Sequence, residues 1–240
     1  MTSMVTIRDF GAVNERLQTA SAKEVLTWAV ETFHPRLTMA TAFGAEGCCI
    51  IHMLAEIETS VHVFNLDTGY QFPETLALRE QIRERYGIEV QLVRPELAVA
   101  EYEAQHGGPL YRVRPDECCR ERKIEPLRRV VANYDAWISA IRGDQTAHRA
   151  RAGVVQWDAK FGLVKINPLL NWTKKDVWAF IVKNNVPYNP LHDQGFPSIG
   201  CWPCTQRVEQ GDDERSGRWA GSTKKECGLH VIEFEGGSGI

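Results

Sequence analysis

Two hydrophobic periods alternate along most of the chain. Short β-branched and apolar runs fall at residues 37–43, 61–66, 89–93 and 136–141, the length and composition of buried strands. Between them the spacing is helical. Ser21-Ala22-Lys23-Glu24 has the capping-box pattern and opens a helix carrying Val25, Leu26, Trp28, Ala29 and Phe33, which His34-Pro35 ends. The apolar stretch 48–57 predicts a second helix. Residues 73–86 predict a third, with Pro73 in its first turn and Gly87 just beyond its end. A short helix is expected over 96–105, stopped by Gly107, Gly108 and Pro109. Thr173-Lys174-Lys175-Asp176 caps a last helix that carries Val177, Trp178, Phe180 and Ile181 and ends at Asn184, Asn185 and Pro187. Residues 154–157 and 163–166 read as a hairpin or two edge strands, residues 1–20 as an irregular lead-in, and 188–198 as a loop rich in Pro and Gly.

Strands alternating with helices in this way predict an α/β fold built on a doubly wound, mainly parallel sheet. Ligands of such sheets sit beyond the carboxyl ends of the strands. Three segments fall on that rim: residues 41–47, then Asp67-Thr68-Gly69-Tyr70, then Arg142-Gly143-Asp144-Gln145-Thr146. The first is a strand, a small-residue turn and a helix start, an arrangement that offers backbone N–H groups to an anion. A tight turn without a ligand is the alternative. It is not a Walker loop, because no Gly-Lys-Ser/Thr follows. After Cys204 the hydrophobic periodicity fades into Gly and charged residues. The predicted organisation is therefore a domain over 1–204 and a C-terminal extension over 205–240, flexible at least in part.

Composition narrows the function. The 240 residues are 43% hydrophobic and 25% charged, enough for a core and ordinary for a soluble protein. A net charge of −3 provides no overall basic field for nucleic acid, so any anion must be held by local Lys and Arg. No run approaches the roughly 18 apolar residues of a membrane span, and the N-terminus lacks the pattern of a signal peptide. A cytosolic location is expected. There, seven cysteines read as metal ligands or redox thiols rather than structural disulfides.

Four of them form two pairs, Cys118 with Cys119, and Cys201 with Cys204 in Cys201-Trp202-Pro203-Cys204. Four sulfurs satisfy a tetrahedral zinc or an iron–sulfur cluster. Adjacent side chains diverge, so Cys118 and Cys119 would strain a single small ion; a cubane with separate iron corners accommodates them more readily. A reduced C-x-x-C with two incidental cysteines is the bland alternative. A thioredoxin-like dithiol fits less well, because the motif arrives from a loop. Cys48 and Cys49 lie in an apolar helical run and read as core. Cys227 stands apart in a polar stretch with Lys224, Lys225 and His230, which favours an exposed thiolate. Lys123, Arg142, Arg215 and Arg218 are candidate anion contacts. Arg suits bidentate phosphate or sulfate binding, and Lys a point contact. Each alone is also an ordinary surface charge.

These motifs together resemble the assimilatory adenylyl-sulfate reductases, within the wider phosphoadenylyl-sulfate reductase family. The matching residues are 41–47, Asp67-Thr68-Gly69, Cys118 and Cys119 with Arg122-Lys123, Ile141 to Gln145, Gly200 to Cys204, and Glu226-Cys227-Gly228-Leu229-His230. The resemblance implies an adenine nucleotide alpha hydrolase-like fold and a [4Fe-4S] cluster on Cys118, Cys119, Cys201 and Cys204. It also implies reduction of adenylyl sulfate by thioredoxin, or a similar thiol donor, to sulfite and AMP, with oxidised thioredoxin as the other product. Cys227 would be the nucleophile and pass through an S-sulfocysteine, with Lys123, Arg142, Arg215 and Arg218 on the anion. Thr41, Phe43, Gly44, Glu46, Asp67 and Thr68 would meet the nucleotide, by position only. The Ser-Gly-Gly-x-Asp-Ser pattern of related ATP pyrophosphatases is missing, which argues against ATP. Family members that use the 3′-phosphorylated nucleotide typically lack the four cluster cysteines, so adenylyl sulfate is the expected substrate. The alternatives are a 3′-phosphoadenylyl-sulfate or dual-substrate reductase and, outside enzymes, a zinc-stapled nucleotide-binding module. A homo-oligomer is compatible with all of these.

Overall fold

The structure is a computed structural model, and it describes residues 10–209, 211–221, 224 and 226–230. Six strands form one sheet: β1 (Leu37–Thr41), β2 (His62–Leu66), β3 (Val90–Val93), β4 (Ala136–Ile138), β5 (Val155–Asp158) and β6 (Leu163–Ile166). Their order is β3-β2-β1-β4-β6-β5, parallel except for β5, which runs antiparallel to β6. The doubly wound, mainly parallel sheet is thus as expected. From β1 the chain winds outward through β2 to β3, then crosses back to β4 on the other side of β1. The reversal of direction lies between β1 and β4, and beyond their carboxyl ends a crevice must open.

The helices are α1 (Phe10–Leu17), α2 (Ala22–Phe33), α3 (Ala45–Ile57), α4 (Pro73–Tyr86), α5 (Val99–His106), α6 (Leu110–Val113), α7 (Pro115–Cys119), α8 (Glu125–Val131) and α9 (Lys174–Asn184). α2 starts at the predicted capping box: the Ser21 hydroxyl accepts from the Glu24 N–H, and the Glu24 carboxylate accepts from the Ser21 N–H at 2.7 Å. Its buried face is Ala22, Val25, Leu26 and Ala29, at helical spacing. α3 is apolar on nearly every side and is sunk in the core, where Cys48 and Cys49 pack as small hydrophobes. Burial pushes the Cys48 thiol up to about 12. Among the described residues no helix is long and apolar enough to cross a membrane.

Several boundaries depart from the expectations, each for a local reason. The lead-in contains α1, which packs Phe10 and Leu17 into the core; residues 1–9 lie outside the described residues. β1 stops at Thr41 because Phe43 adopts a left-handed turn, φ 54°, with its N–H donated to Thr41 Oγ1 at 3.0 Å. β4 is only Ala136–Ile138: the Ser139 N–H makes the last ladder bond, to Ile166 O, and its hydroxyl donates to Asn167 Oδ1. Of the two expected arrangements for 154–157 and 163–166, the hairpin is the one formed: β5 and β6 are antiparallel, β5 lies at the sheet edge, and β6 is interior, buried at every position between β4 and β5. The short helix begins at Val99, because Glu101 caps the Ala98 N–H.

The extension, expected to be flexible in part, is folded against the domain over its described residues. Gln206 N–H bonds Gly217 O, Thr205 bridges Arg218, and Trp219 N–H bonds Cys204 O at 3.1 Å. Trp219 and Lys224 are buried. Backbone hydrogen bonds, an ion pair of Lys224 and the Trp219 ring make these contacts, which leave no hydrophobic period in the sequence.

Leu26 is 0% exposed and Ser21 is on the surface, so the two separate packing from capping. Leu26→Ala should cost about 2–5 kcal/mol in urea unfolding, and Ser21→Ala about 1 kcal/mol. Equal or reversed losses would contradict this account of α2.

Candidate active site

The four paired cysteines come together although they lie far apart in sequence. Cys118 and Cys119 end α7, and the helix continues through a π turn, Arg120–Ile124, into α8. An i→i+5 turn brings residues four and five apart onto one side, and such turns are frequent at functional sites. Here it sets Cys118, Cys119, Arg122 and Lys123 around one small cavity, whose other side is Cys201 and Cys204. The second pair is held by a 3₁₀ turn, Trp202–Cys204, in which Cys204 N–H bonds Cys201 O. That turn is pinned to the end of β2: Trp202 N–H donates to Tyr70 O at 2.8 Å, and Thr68 Oγ1 shares a hydrogen with Cys201 Sγ at 3.2 Å. Arg122 completes the brace. Its Nε donates to Thr68 O at 2.7 Å, and its guanidinium lies over the rings of Tyr70 and Tyr102.

Burial drives Cys118 up to about 12, and the neighbouring sulfurs Cys119, Cys201 and Cys204 add to the shift. Cys119 and Cys204 are raised for the same reason. Four crowded sulfurs resist becoming bare thiolates. They suit a resident cationic centre, which favours the deprotonated form at every ligand. Among the described residues, no three or more His, Cys, Asp or Glu side chains converge as a single metal ion requires.

A cleft of about 200 Å³ opens beside the cysteines, beyond the carboxyl ends of β1, β2 and β4, where the topology placed it. Part of the lining is small and polar: Thr41, Gly44, Glu46, Gly47 and Thr68, with Asn65 and Gln71. Gly47 is needed there, because a Cβ would approach Thr41 Oγ1 to 2.7 Å. Another part is basic, formed by Lys123, Arg149, Arg215 and Arg218, with Cys227 and His230. Gly200 lets Arg218 pass, since a Cβ at that position would collide with the guanidinium. Arg218 lies over the Trp219 ring at 4.5 Å and donates to Cys204 O and Ile199 O.

Three of the candidate contacts lie outside this lining. Phe43 is buried in the core. Asp67 is turned to its own loop, accepting from the Gly69 N–H at 3.1 Å and pairing with Arg94 at 2.8 Å. Arg142 is 3% exposed and is surrounded by the carboxylates of Glu46, Asp144 and Glu214. In this structure it ties the β1 turn, its own turn and the extension together. Arg149, in a 3₁₀ turn after β4, is the basic residue that the sequence reading missed. It belongs to no motif and sits in a stretch without periodicity, so nothing in the sequence marked it.

Cys227 is half-buried rather than exposed, because the residues on both sides of it are anchored. Glu226 accepts two bonds from Arg149, each 2.9 Å, and one from Arg215 at 3.2 Å. Gly228 O accepts from Lys160 at 2.8 Å, and His230 O from His148 at 3.1 Å. Lys224 pairs with Asp116 and lies over Trp219, and Lys225 lies outside the described residues. Burial opposes ionisation of Cys227, yet Lys123, the Leu229 N–H and Arg218 outweigh it and bring the thiol below its ordinary range. Lys123 is half-buried, and its partial burial disfavours its charge. The sulfurs of Cys201, Cys119 and Cys227 more than restore it and hold Lys123 above the usual lysine range.

A mainly parallel α/β sheet with a partly basic cleft at its switch point, four clustered thiols and a separate activated thiol defines a protein equipped to bind an anion and do sulfur chemistry. Comparison with known proteins places it further. The model of the phosphoadenosine phosphosulfate reductase domain matches residues 36–207, and the chain belongs to that family. It is 48% identical over 210 residues to a phosphoadenosine 5′-phosphosulfate reductase of Gloeobacter violaceus, covering 86% of this chain and 87% of the relative. It is 43% identical over 221 residues to an adenosine 5′-phosphosulfate reductase of Salinibacter ruber, covering 92% and 88%. Among solved structures, the phosphoadenylyl-sulfate reductase of Candida auris in a phosphate complex superposes with a TM-score of 0.75 and 31% identity, covering 87% of this chain and all of the other. An FMN adenylyltransferase of Candida glabrata, with a TM-score of 0.57 and 16% identity, shares the fold alone.

Two outcomes follow from the charge arrangement. Arg142→Met strips three carboxylates of their buried partner and should cost about 3–5 kcal/mol in stability; a variant with wild-type Tm would contradict a structural role. Alkylation of Cys227 by iodoacetamide, followed by mass spectrometry across pH, should reach half-rate below the pH of a free cysteine. Lys123→Ala should move that midpoint upward, and an unmoved midpoint would remove Lys123 as the cause.

Proposed function

We propose that this protein reduces adenylyl sulfate to sulfite and AMP, with thioredoxin or a similar dithiol as the electron donor. One observation carries the reading: a thiol shifted toward thiolate lines a cleft together with Lys123, Arg149, Arg215 and Arg218, and Lys123 also lines the four-cysteine cavity. The Salinibacter and Bacillus subtilis relatives named adenosine 5′-phosphosulfate reductases support the substrate.

The adenosine end of the substrate fits the polar mouth around Thr41, Gly44, Glu46 and Thr68, and the phosphosulfate fits among Lys123, Arg149, Arg215 and Arg218. The Cys227 thiolate attacks the sulfate sulfur. An S–S bond forms as the S–O bond to AMP breaks, and AMP leaves with the electron pair. The basic residues stabilise the charge that grows on its phosphate. A dithiol partner then attacks Cys227 Sγ; sulfite departs with the S–S electrons, and the partner's second thiol restores Cys227. Sulfur is reduced from the sulfate to the sulfite level, and two partner thiols become a disulfide.

Cys118, Cys119, Cys201 and Cys204 would hold a [4Fe-4S] cluster. When bound, it supplies a fixed cationic centre that keeps the four sulfurs deprotonated and the helix bearing Lys123 in place. The 3′-phosphorylated nucleotide is a second candidate substrate, favoured by the name of the Gloeobacter relative.

Cys227→Ser should abolish sulfite release, by at least about 10³-fold, while nucleotide binding and the visible colour of the holoprotein persist. Sulfite release at the wild-type rate would refute the assignment. The same assay compares kcat/KM for the two nucleotides, and a preference for the 3′-phosphorylated form would reverse the choice of substrate.

A further inference from the structure

β6 carries a lysine in the middle of the sheet. Lys165 is 2% exposed, with buried neighbours on both sides, and it stands in register with Trp137 on β4 and Gln156 on β5. Burying an ammonium is costly unless it is paired and hydrogen-bonded. Burial indeed lowers Lys165 to about 8, although Asp158 pulls in the other direction. No packing need explains a lysine at this position.

Its contacts show where it is directed. The ammonium lies 4.9 Å from the centre of the Trp137 ring and 3.4 Å from His230 Nδ1. Trp137 is fixed from behind, donating its Nε1–H to Asp158 at 3.2 Å. On Trp137 the His230 ring is stacked, with centroids 6.0 Å apart and planes within 6°. Both His230 and Trp137 line the cleft, as does Cys227, three residues before the histidine. The sheet thus carries a short column from Asp158 through Trp137 and Lys165 to a ring in the basic part of the cleft.

We propose that Lys165 is a positioning residue for the sulfur-transfer step: its ammonium donates to His230 Nδ1 and so fixes His230 as the neutral Nε2–H tautomer beside the phosphosulfate. An ammonium can only donate, so the nitrogen facing it carries no proton. The ring is not an imidazolium. Burial, with Lys165, Arg149, Arg215 and His148 around it, drives His230 well below the usual histidine range. The remaining proton must then be on Nε2. A neutral Nε2–H donates a hydrogen bond to an anionic oxygen without giving up its proton. That suits AMP, which departs as an anion and needs stabilisation rather than protonation. The groups facing Lys165 are Asp158 from β5, Arg149 from the turn after β4, and Cys227 and Glu226 from the extension.

The inference rests on the cleft being a phosphosulfate site, and its test separates the two. In the full-length holoprotein labelled with ¹⁵N-histidine, with His230 assigned by comparison with His230→Gln, the ring should appear at neutral pH as the Nε2–H tautomer. An Nδ1–H ring or an imidazolium would overturn the role of Lys165, whatever the activity. Lys165→Met should mix the tautomers and lower kcat/KM for adenylyl sulfate by about tenfold to a hundredfold; Lys165→Arg, which can still donate, should recover part of the loss. Because Lys165→Met leaves Asp158 uncompensated, Lys165→Met with Asp158→Asn is the second variant. If that variant folds with wild-type Tm and retains wild-type kcat and KM, the positioning role is wrong. A wild-type protein that binds adenylyl sulfate and releases no sulfite refutes the functional reading and the catalytic half of this proposal, while the tautomer result judges the Lys165–His230 bond by itself.

Discussion

One half-buried cation shared by two sulfur compartments is the constraint on which the site depends. Lys123 lines both the cysteine cavity and the cleft. Lys123 keeps its charge with the sulfurs of Cys201, Cys119 and Cys227 around it, and Cys227 ionises readily because Lys123, the Leu229 N–H and Arg218 face it. Each side makes the other tolerable in a low dielectric. The π turn places the lysine on the same side as Cys118 and Cys119. Arg122, one residue earlier, is locked to Thr68 at the end of β2, so the segment cannot rotate without breaking the brace.

The anion site and the reactive thiol are joined through Glu226. Its carboxylate holds Arg149 and Arg215, whose guanidiniums line the cleft, and it is the residue before Cys227. Docking the thiol and ordering two arginines are therefore one event. Burial opposes the charge of Glu226, but the two arginines outweigh it and hold its carboxyl below the ordinary range. Folded-state lowering of this sign contributes stability above the unfolded pKa of a glutamate and loses it as the pH falls through the folded value. Acid is thus the condition that loosens this clamp.

Much of this was legible in the sequence, and the exceptions have physical reasons. The capping boxes at Ser21 and Thr173, the strand–helix alternation and the rim segments are local signals, and the structure keeps them. The paired cysteines could be grouped by their chemistry before any geometry was known. Arg149 was invisible because its role is set by Glu226, 77 residues away. Arg142 was assigned to the substrate because an arginine at a strand end carries no mark of three waiting carboxylates. Lys165 sits in a strand whose other residues are apolar, and only the stacking of His230 on Trp137 gives it meaning. Charge pairing across the chain lacks the periodicity that makes helices and strands readable.

The central claim is that the thiol at residue 227, and no other, receives the sulfur atom. It is tested most directly by mixing the holoprotein with adenylyl sulfate in the absence of any thiol donor, quenching, and mapping the peptides by mass. The account predicts a sulfonate on the peptide containing Cys227, released as sulfite when reduced thioredoxin is added. Sulfite formed with no such adduct, or a sulfonate carried by a different cysteine, would contradict it.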